Sequence, residues 1–254
     1  MSDLVTSQTP TNTGLIELQI VDSFESSSES TADLQLEKML RHLKGRREVW
    51  LAREAKSERM LVAKRFLSGS KQSREYRREV DGLRKLSELG MNCPNLLFTA
   101  RGESEDVWVV TEFIENSSEL SDLLVGLHKV NPKREKQILR SFVQTLLQHW
   151  QAGVYQTDGH LRNFLWDGQH VYTVDVGSVR FVGRPLSIAH KLDILSAMLG
   201  RYAESFRHVF VKSFVQTCHE IGETSLSKRM RSRRFMHHVT KDEARNLRRI
   251  WKKS

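Results

Sequence analysis

The chain has 254 residues, 39% hydrophobic and 28% charged, with a formal net charge of +9; this is enough apolar sequence for one sizeable domain or two small lobes, and excludes a disordered chain. No window holds the ~18 consecutive apolar residues of a membrane span, and the amino terminus lacks a basic start followed by an apolar run, which argues against export. Cys93 and Cys218 stand far apart without Cys-x-x-Cys or Cys/His spacing, so neither a disulfide framework nor a zinc site is indicated, and both fit reduced thiols in a cytoplasmic protein.

Residues 1–34 contain TSQTPTNTG and SFESSSES and read as a mostly mobile Ser/Thr-rich leader, although LIELQIV at 15–21 has the composition of one strand. LQLEKMLRHLK then reads as a short helix. REVWLAREAK and ERMLVAKRFL read as two strands of an antiparallel hairpin. In SREYRREVDGLRKLSELG, Tyr76, Val80, Leu83 and Leu86 recur at helical spacing and Gly90 supplies a stop. NLLFTARGE and DVWVVTEFI read as two further strands.

After Ile114 the pattern becomes mainly helical. SELSDLLVGLHKV predicts a short helix, and Asn131-Pro132 predicts a cap with proline in the first turn of the next. That helix places Leu139, Phe142, Val143, Leu146 and Trp150 on one face and ends at Gly153. A polar stretch, VYQTDGHLRNFLWDG, leads through the turn Asp167-Gly168 to a short strand in HVYTVDVG. Helices are predicted over about 187–199 and 202–220, and Thr240-Lys-Asp-Glu243 has the form of a capping box opening a last helix through Trp251.

Asp158 precedes Asn163 by five residues, and Asp175 follows twelve residues later beyond a tight turn that would return the chain. Alone, each is an ordinary cap or turn residue. In this order, on two short β pieces, they make the set that phosphoryl transfer from ATP needs: one carboxylate for the acceptor hydroxyl, and an amide oxygen with a second carboxylate for Mg²⁺. Val62-Ala63-Lys64 resembles the kinase strand Val-Ala-x-Lys that holds ATP phosphates. Glu79, fifteen residues on, is the preferred partner for Lys64; Glu75, one helical turn earlier, competes. The backbone of Glu112, Phe113 and Ile114 sits where a strand enters the helical half, placed to pair with adenine.

HWQAGVYQTDGHLRNFLWDG and VYTVDVGSVRF, with the Val-Ala-Lys strand, LSELGMNCPNLL, TEFIENS and His149, resemble the Kdo/WaaP-type lipopolysaccharide kinases over roughly residues 45–215. The resemblance implies an α+β, two-lobed protein-kinase-like fold, with a small antiparallel-sheet N-lobe over 35–114, a mainly helical C-lobe over 115–254 and the active site between them. It implies an ATP- and Mg²⁺-dependent enzyme phosphorylating Kdo or heptose of the lipopolysaccharide inner core. Asp158 would be the catalytic base, Asn163 and Asp175 the metal ligands, and Lys64 with Glu79 the phosphate-positioning pair. This chain departs from the pattern in having Gln156 where His is common and Gly159 where Leu is common, and the nucleotide-covering loop has only Gly45. The alternatives are a small atypical protein kinase and a non-catalytic nucleotide-binding pseudokinase. Only about a dozen residues separate Asp175 from the next helix, too few for the platform that peptide substrates need, and Lys191 and Asp193 are expected to brace them.

Charge is unevenly spread: residues 1–37 hold acids without Lys or Arg, whereas Lys228 onward holds 11 bases and 2 acids. The tail has two readings. It is a basic element attracting an anionic glycolipid, making peripheral contact with the cytoplasmic face of the inner membrane, or a solvated helix packed through Leu247, Ile250 and Trp251. No nucleic-acid motif accompanies it, and His237-His238 has no partner ligands.

Overall fold

Residues 31–39 alternate between buried and accessible positions, with Ala32, Leu34 and Leu36 inward, and they belong to a strand rather than to the helix predicted for LQLEKMLRHLK. The computed structural model describes residues 14–25, 29–102, 104–127 and 131–251, with side chains omitted at 125–127 and 247–251. It divides into two units, Met1–Leu83 with Pro94–Phe113, and Arg84–Cys93 with Ile114–Ser254.

The first unit contains β1 (Leu15–Ser23), β2 (Thr31–Leu43), β3 (Arg47–Glu54), β4 (Met60–Phe66), most of α1 (Gln72–Glu88), β5 (Leu96–Arg101) and β6 (Val107–Glu112). The six strands close into a barrel in the order β1-β2-β3-β4-β6-β5, every pairing antiparallel. Its interior is filled by Leu18, Leu34, Trp50, Leu61, Phe98 and Trp108 among others, each such side chain contributing roughly 1.5–3 kcal/mol through burial. The leader expectation is therefore corrected where the chain is described: β1 and the start of β2 are structural staves, while 1–13 and 26–28 lie outside the described residues.

The second unit contains the end of α1, then β7 (Ser118–Glu119), α2 (Leu120–Leu127), α3 (Pro132–Gln151), β8 (Val154–Gln156), β9 (Phe164–Trp166), β10 (Val171–Thr173), β11 (Val179–Phe181), α4 (Ile188–Leu199), α5 (Glu204–Glu220), α6 (Thr224–Met230) and α7 (Arg233–Trp251). The predicted continuation of α2 through Val130 lies outside the described residues. Asn131 caps α3, its side chain accepting from the Arg134 N–H at 3.1 Å, and the predicted face of Leu139, Phe142, Val143, Leu146 and Trp150 is buried. Gly153, with φ +75, ends that helix; a Cβ there would meet the Arg184 carbonyl oxygen at 2.5 Å.

Thr240 is not a cap. It lies inside α7, its hydroxyl donating to the Met236 carbonyl at 3.1 Å, one turn back along a continuous helix. The proposed packing of Leu247, Ile250 and Trp251 falls on side chains outside the described residues. Among the described residues no helix is long and apolar enough to cross a membrane. Both cysteines are buried and neither forms a disulfide, and burial pushes the Cys218 thiol up to about 12.

Candidate active site

In the first unit, the β3–β4 register pairs Val49 with Lys64, and strand alternation sends Lys64 to the face opposite the inward Ala63. Lys64 is 8% exposed and its ammonium donates to the fully buried Glu79 of α1. The rival Glu75 is engaged elsewhere, with Arg46 of the β2–β3 turn, so the choice posed by the spacing has a geometric answer. That turn, Lys44-Gly45-Arg46, carries one glycine, at φ +66, and is otherwise cationic. A buried charge pair of this kind holds its members in place, because moving either leaves an uncompensated charge.

The ladder of β6 ends at Glu112. The Glu112 N–H donates to the Asn95 carbonyl at 3.0 Å, and its carboxylate accepts from the Asn95 backbone and side-chain amides, each at 3.0 Å. Phe113 and Ile114 continue beyond the ladder, and the Ile114 carbonyl accepts from the Ser117 hydroxyl at 2.7 Å.

In the second unit, the polar stretch folds as β8, a loop through Asp158, a single 3₁₀ turn over Leu161–Asn163, and β9. Phe164 anchors it, 1% exposed and edge-on to Phe142 at 4.8 Å between ring centres. Asn163, 5% exposed, donates through Nδ2 to the Asp158 carbonyl at 2.7 Å, and the Asn163 carbonyl accepts from the Val174 N–H at 2.8 Å. These two bonds gather Asp158, Asn163 and the residue before Asp175. The β9–β10 hairpin turns at Asp167-Gly168, with Asp167 accepting from the Gln169 and His170 N–H groups at 2.7 Å. Asp175 follows in the left-handed region, φ 56 and ψ 55, a conformation Asp tolerates better than most residues.

The donor set can be tested against Mg²⁺. With its NH₂ committed to the Asp158 carbonyl, Asn163 has Oδ1 as its remaining coordinating atom, and Asp175 supplies a carboxylate; both are hard oxygen donors. Among the described residues no group of three or more His, Cys, Asp or Glu is placed to hold a metal. An ion held by Asn163 and Asp175 would take its other ligands from substrate phosphates or water.

The two departures in the loop have different physical characters. Gly159 sits at a tight contact, where a Cβ would stand 3.3 Å from the Ile194 side chain of α4 and that side chain would have to give by a few tenths of an ångström. Gln156 is 4% exposed and neither amide atom finds a hydrogen-bond partner among the described residues, an arrangement that costs about 1–3 kcal/mol. The chain after Asp175 is braced by pairing of β11 with β8 and by the Thr157 hydroxyl on the Ser178 carbonyl at 2.7 Å. Lys191 instead lies 5.7 Å from the Trp150 ring centre, and the Asp193 carbonyl accepts from Ser196, so neither provides the expected brace through the contacts found.

Residue-by-residue reading missed Arg201 and Tyr202, in the turn after α4. Arg201 Nη2 donates to Asp158 Oδ1 at 2.6 Å, and the Tyr202 hydroxyl lies 3.3 Å from His160 Nδ1. Burial pushes the Tyr202 hydroxyl up to about 12, so it stays neutral there. No local pattern announces these contacts, because each spans more than 40 residues of chain.

No curated protein matches the sequence as a relative. In structure the chain is similar to the WaaP of "WaaP in complex with acyl carrier protein", with a TM-score of 0.51 and 16% identity over 80% of this chain and 89% of that one. At that identity the likeness speaks for the fold, and it is one of 1671 such matches, so the fold does not choose a substrate. Residues 35–177, more than half of the sequence, match the Lipopolysaccharide kinase (Kdo/WaaP) family, and the chain belongs to that family.

Proposed function

We propose that the protein is an ATP- and Mg²⁺-dependent phosphotransferase acting on a hydroxyl of Kdo or heptose in the lipopolysaccharide inner core, with a two-lobed protein-kinase-like organisation and a cytoplasmic location. The observation that carries the reading is the pair of hydrogen bonds through Asn163 that gathers Asp158 with the approach to Asp175. Family membership supports the reaction class.

In this mechanism Lys64, held by Glu79, neutralises phosphate charge, and the backbone at Glu112, Phe113 and Ile114 pairs with adenine. Asn163 and Asp175 would hold Mg²⁺, which would supply positive charge against the phosphates. Asp158 orients the acceptor hydroxyl and takes its proton; the acceptor oxygen bonds to the γ-phosphorus as the bond from that phosphorus to the β,γ-bridging oxygen breaks, and ADP leaves with the electron pair. The short segment between Asp175 and α4 favours a small or surface-presented acceptor over a peptide.

Asp158→Ala should lower transfer by about 10²–10⁴-fold while leaving MgATP binding and folding intact. The measurement is phosphate transfer from labelled ATP to core oligosaccharide, with product mass as a second readout; unchanged turnover would sink the reading. The partnerless amide of Gln156 favours one second reading, a nucleotide-binding protein without turnover, whose signature is MgATP binding with no transfer to any acceptor.

A further inference from the structure

We infer that Arg201 is a positioning residue for Asp158 and that α7, the basic C-terminal helix, is the mount that holds it there; this rests on the phosphotransfer reading of the same loop. The Asp158 side chain is 52% exposed, and a carboxylate in that setting rotates freely unless something fixes it. Arg201 engages Oδ1, while Oδ2 takes no hydrogen bond from the described residues. One oxygen is thereby held and the other presented, the arrangement a base needs if the acceptor hydroxyl is always to meet it in one orientation.

The grip covers the whole Asp158-Gly159-His160 corner. Tyr202 contacts the His160 ring at 5.8 Å between centres as well as through its hydroxyl, and Ile194 lies against the backbone of Gly159. Three consecutive loop residues thus key onto the middle of α4 and the turn after it. Arg201 makes the polar contact to the reacting carboxylate.

The turn is in turn seated on α7. Asn246 Nδ2 donates to the Gly200 carbonyl at 3.2 Å. A Cβ on Gly200 would lie 2.8 Å from the Glu243 nitrogen and 3.0 Å from the Asp242 carbonyl carbon, so the two backbones approach as closely as glycine allows. On either side, Asp242 accepts from the Ser196 hydroxyl of α4 at 2.8 Å, and Glu243 pairs with Arg207 of α5, itself 5% exposed, at 2.7 Å. One helical turn of α7, residues 242–246, touches both helices flanking Arg201 and the peptide preceding it. A shift of α7 therefore moves the guanidinium that orients Asp158.

Full-length Arg201→Gln should retain its melting temperature and its affinity for MgATP, leave the acceptor KM unchanged, and lose on the order of 10- to 100-fold in kcat. Arg201→Lys should recover part of that loss, since it restores the cation without the planar fork. Asn246→Ala should lower kcat in the same direction by less. Hydrogen exchange over residues 157–163 should accelerate in Arg201→Gln while the rest of the protein is unchanged, a readout independent of turnover.

Unchanged kcat and unchanged loop exchange in Arg201→Gln, with Asp158→Ala inactive, overturns the inference and leaves the reaction standing. A rise in kcat overturns it as well, because the contact would then restrain Asp158. If wild-type protein transfers nothing, the failure falls on the phosphotransfer reading, and loop exchange alone decides whether Arg201 fixes the loop.

Discussion

His149 is 2% exposed on α3, with Nε2 3.4 Å from the Thr173 hydroxyl of β10, two residues before Asp175. Burial lowers its pKa from 6.5 to about 4, so the folded protein holds it neutral. As pH falls below about 6.5 the unfolded chain takes up the proton first. The stability this histidine carries is complete above that pH and is lost progressively down to about 4, a change of roughly 3 kcal/mol. Urea midpoints for wild type and His149→Met, compared from pH 7.5 to 4.5, should diverge in slope; parallel profiles would show that burial does not suppress the charge. At this scale the sequence was partly legible. Fifteen-residue spacing suffices to nominate Glu79 for Lys64, because a strand followed by a helix constrains which helical turn faces back. Spacing says nothing about Ile194 under Gly159 or Arg201 on Asp158, which are brought close by packing of distant helices.

Among elements, α3 was readable from its cap and its apolar face, since both signals are local. The mistaken helix at LQLEKMLRHLK has a specific cause. The register of β2 against β3 shifts between Leu36 and Lys38 and again between Met39 and Arg41. Each shift inserts a residue, so Leu36, Met39 and Leu43 fall at three- and four-residue spacing although the backbone is extended. Thr240 misled for another reason: a Thr-x-x-Glu pattern marks a helix start only where the preceding residues are not helical, and here they are. The barrel makes β1 part of the core. Leu18→Ala, at a side chain 1% exposed, should cost about 2–5 kcal/mol in urea unfolding; a loss below ~0.5 kcal/mol would mean that β1 contributes little to the first unit.

Over the whole molecule, charge is segregated by position. On α7, Phe235 and Val239 are buried while Arg233, Arg234, Lys241 and Arg245 are exposed, and Lys228 and Arg229 precede them on α6. The basic face is thus exposed, although Arg245 pairs with Asp242 at 2.8 Å, on the same helix whose other side seats the Arg201 turn. Sedimentation with vesicles should show binding to phosphatidylglycerol-containing bilayers, absent for pure phosphatidylcholine and weakened by salt. Charge reversal at Arg233 and Arg234 should reduce it by about 1 kcal/mol or more per site. Equal binding to both vesicle types would remove the membrane reading of the tail.

The closed barrel also governs how the first unit can meet other proteins. Because β1 pairs with both β2 and β5, the strand order closes on itself, and among the described residues the open side is confined to overhangs such as residues 38–43 of β2, which pair with β3 alone. A chain deprived of β1 would uncover β2 and β5 together, turning a self-contained cylinder into a sheet with two adhesive margins and a tendency to pair with its own copies.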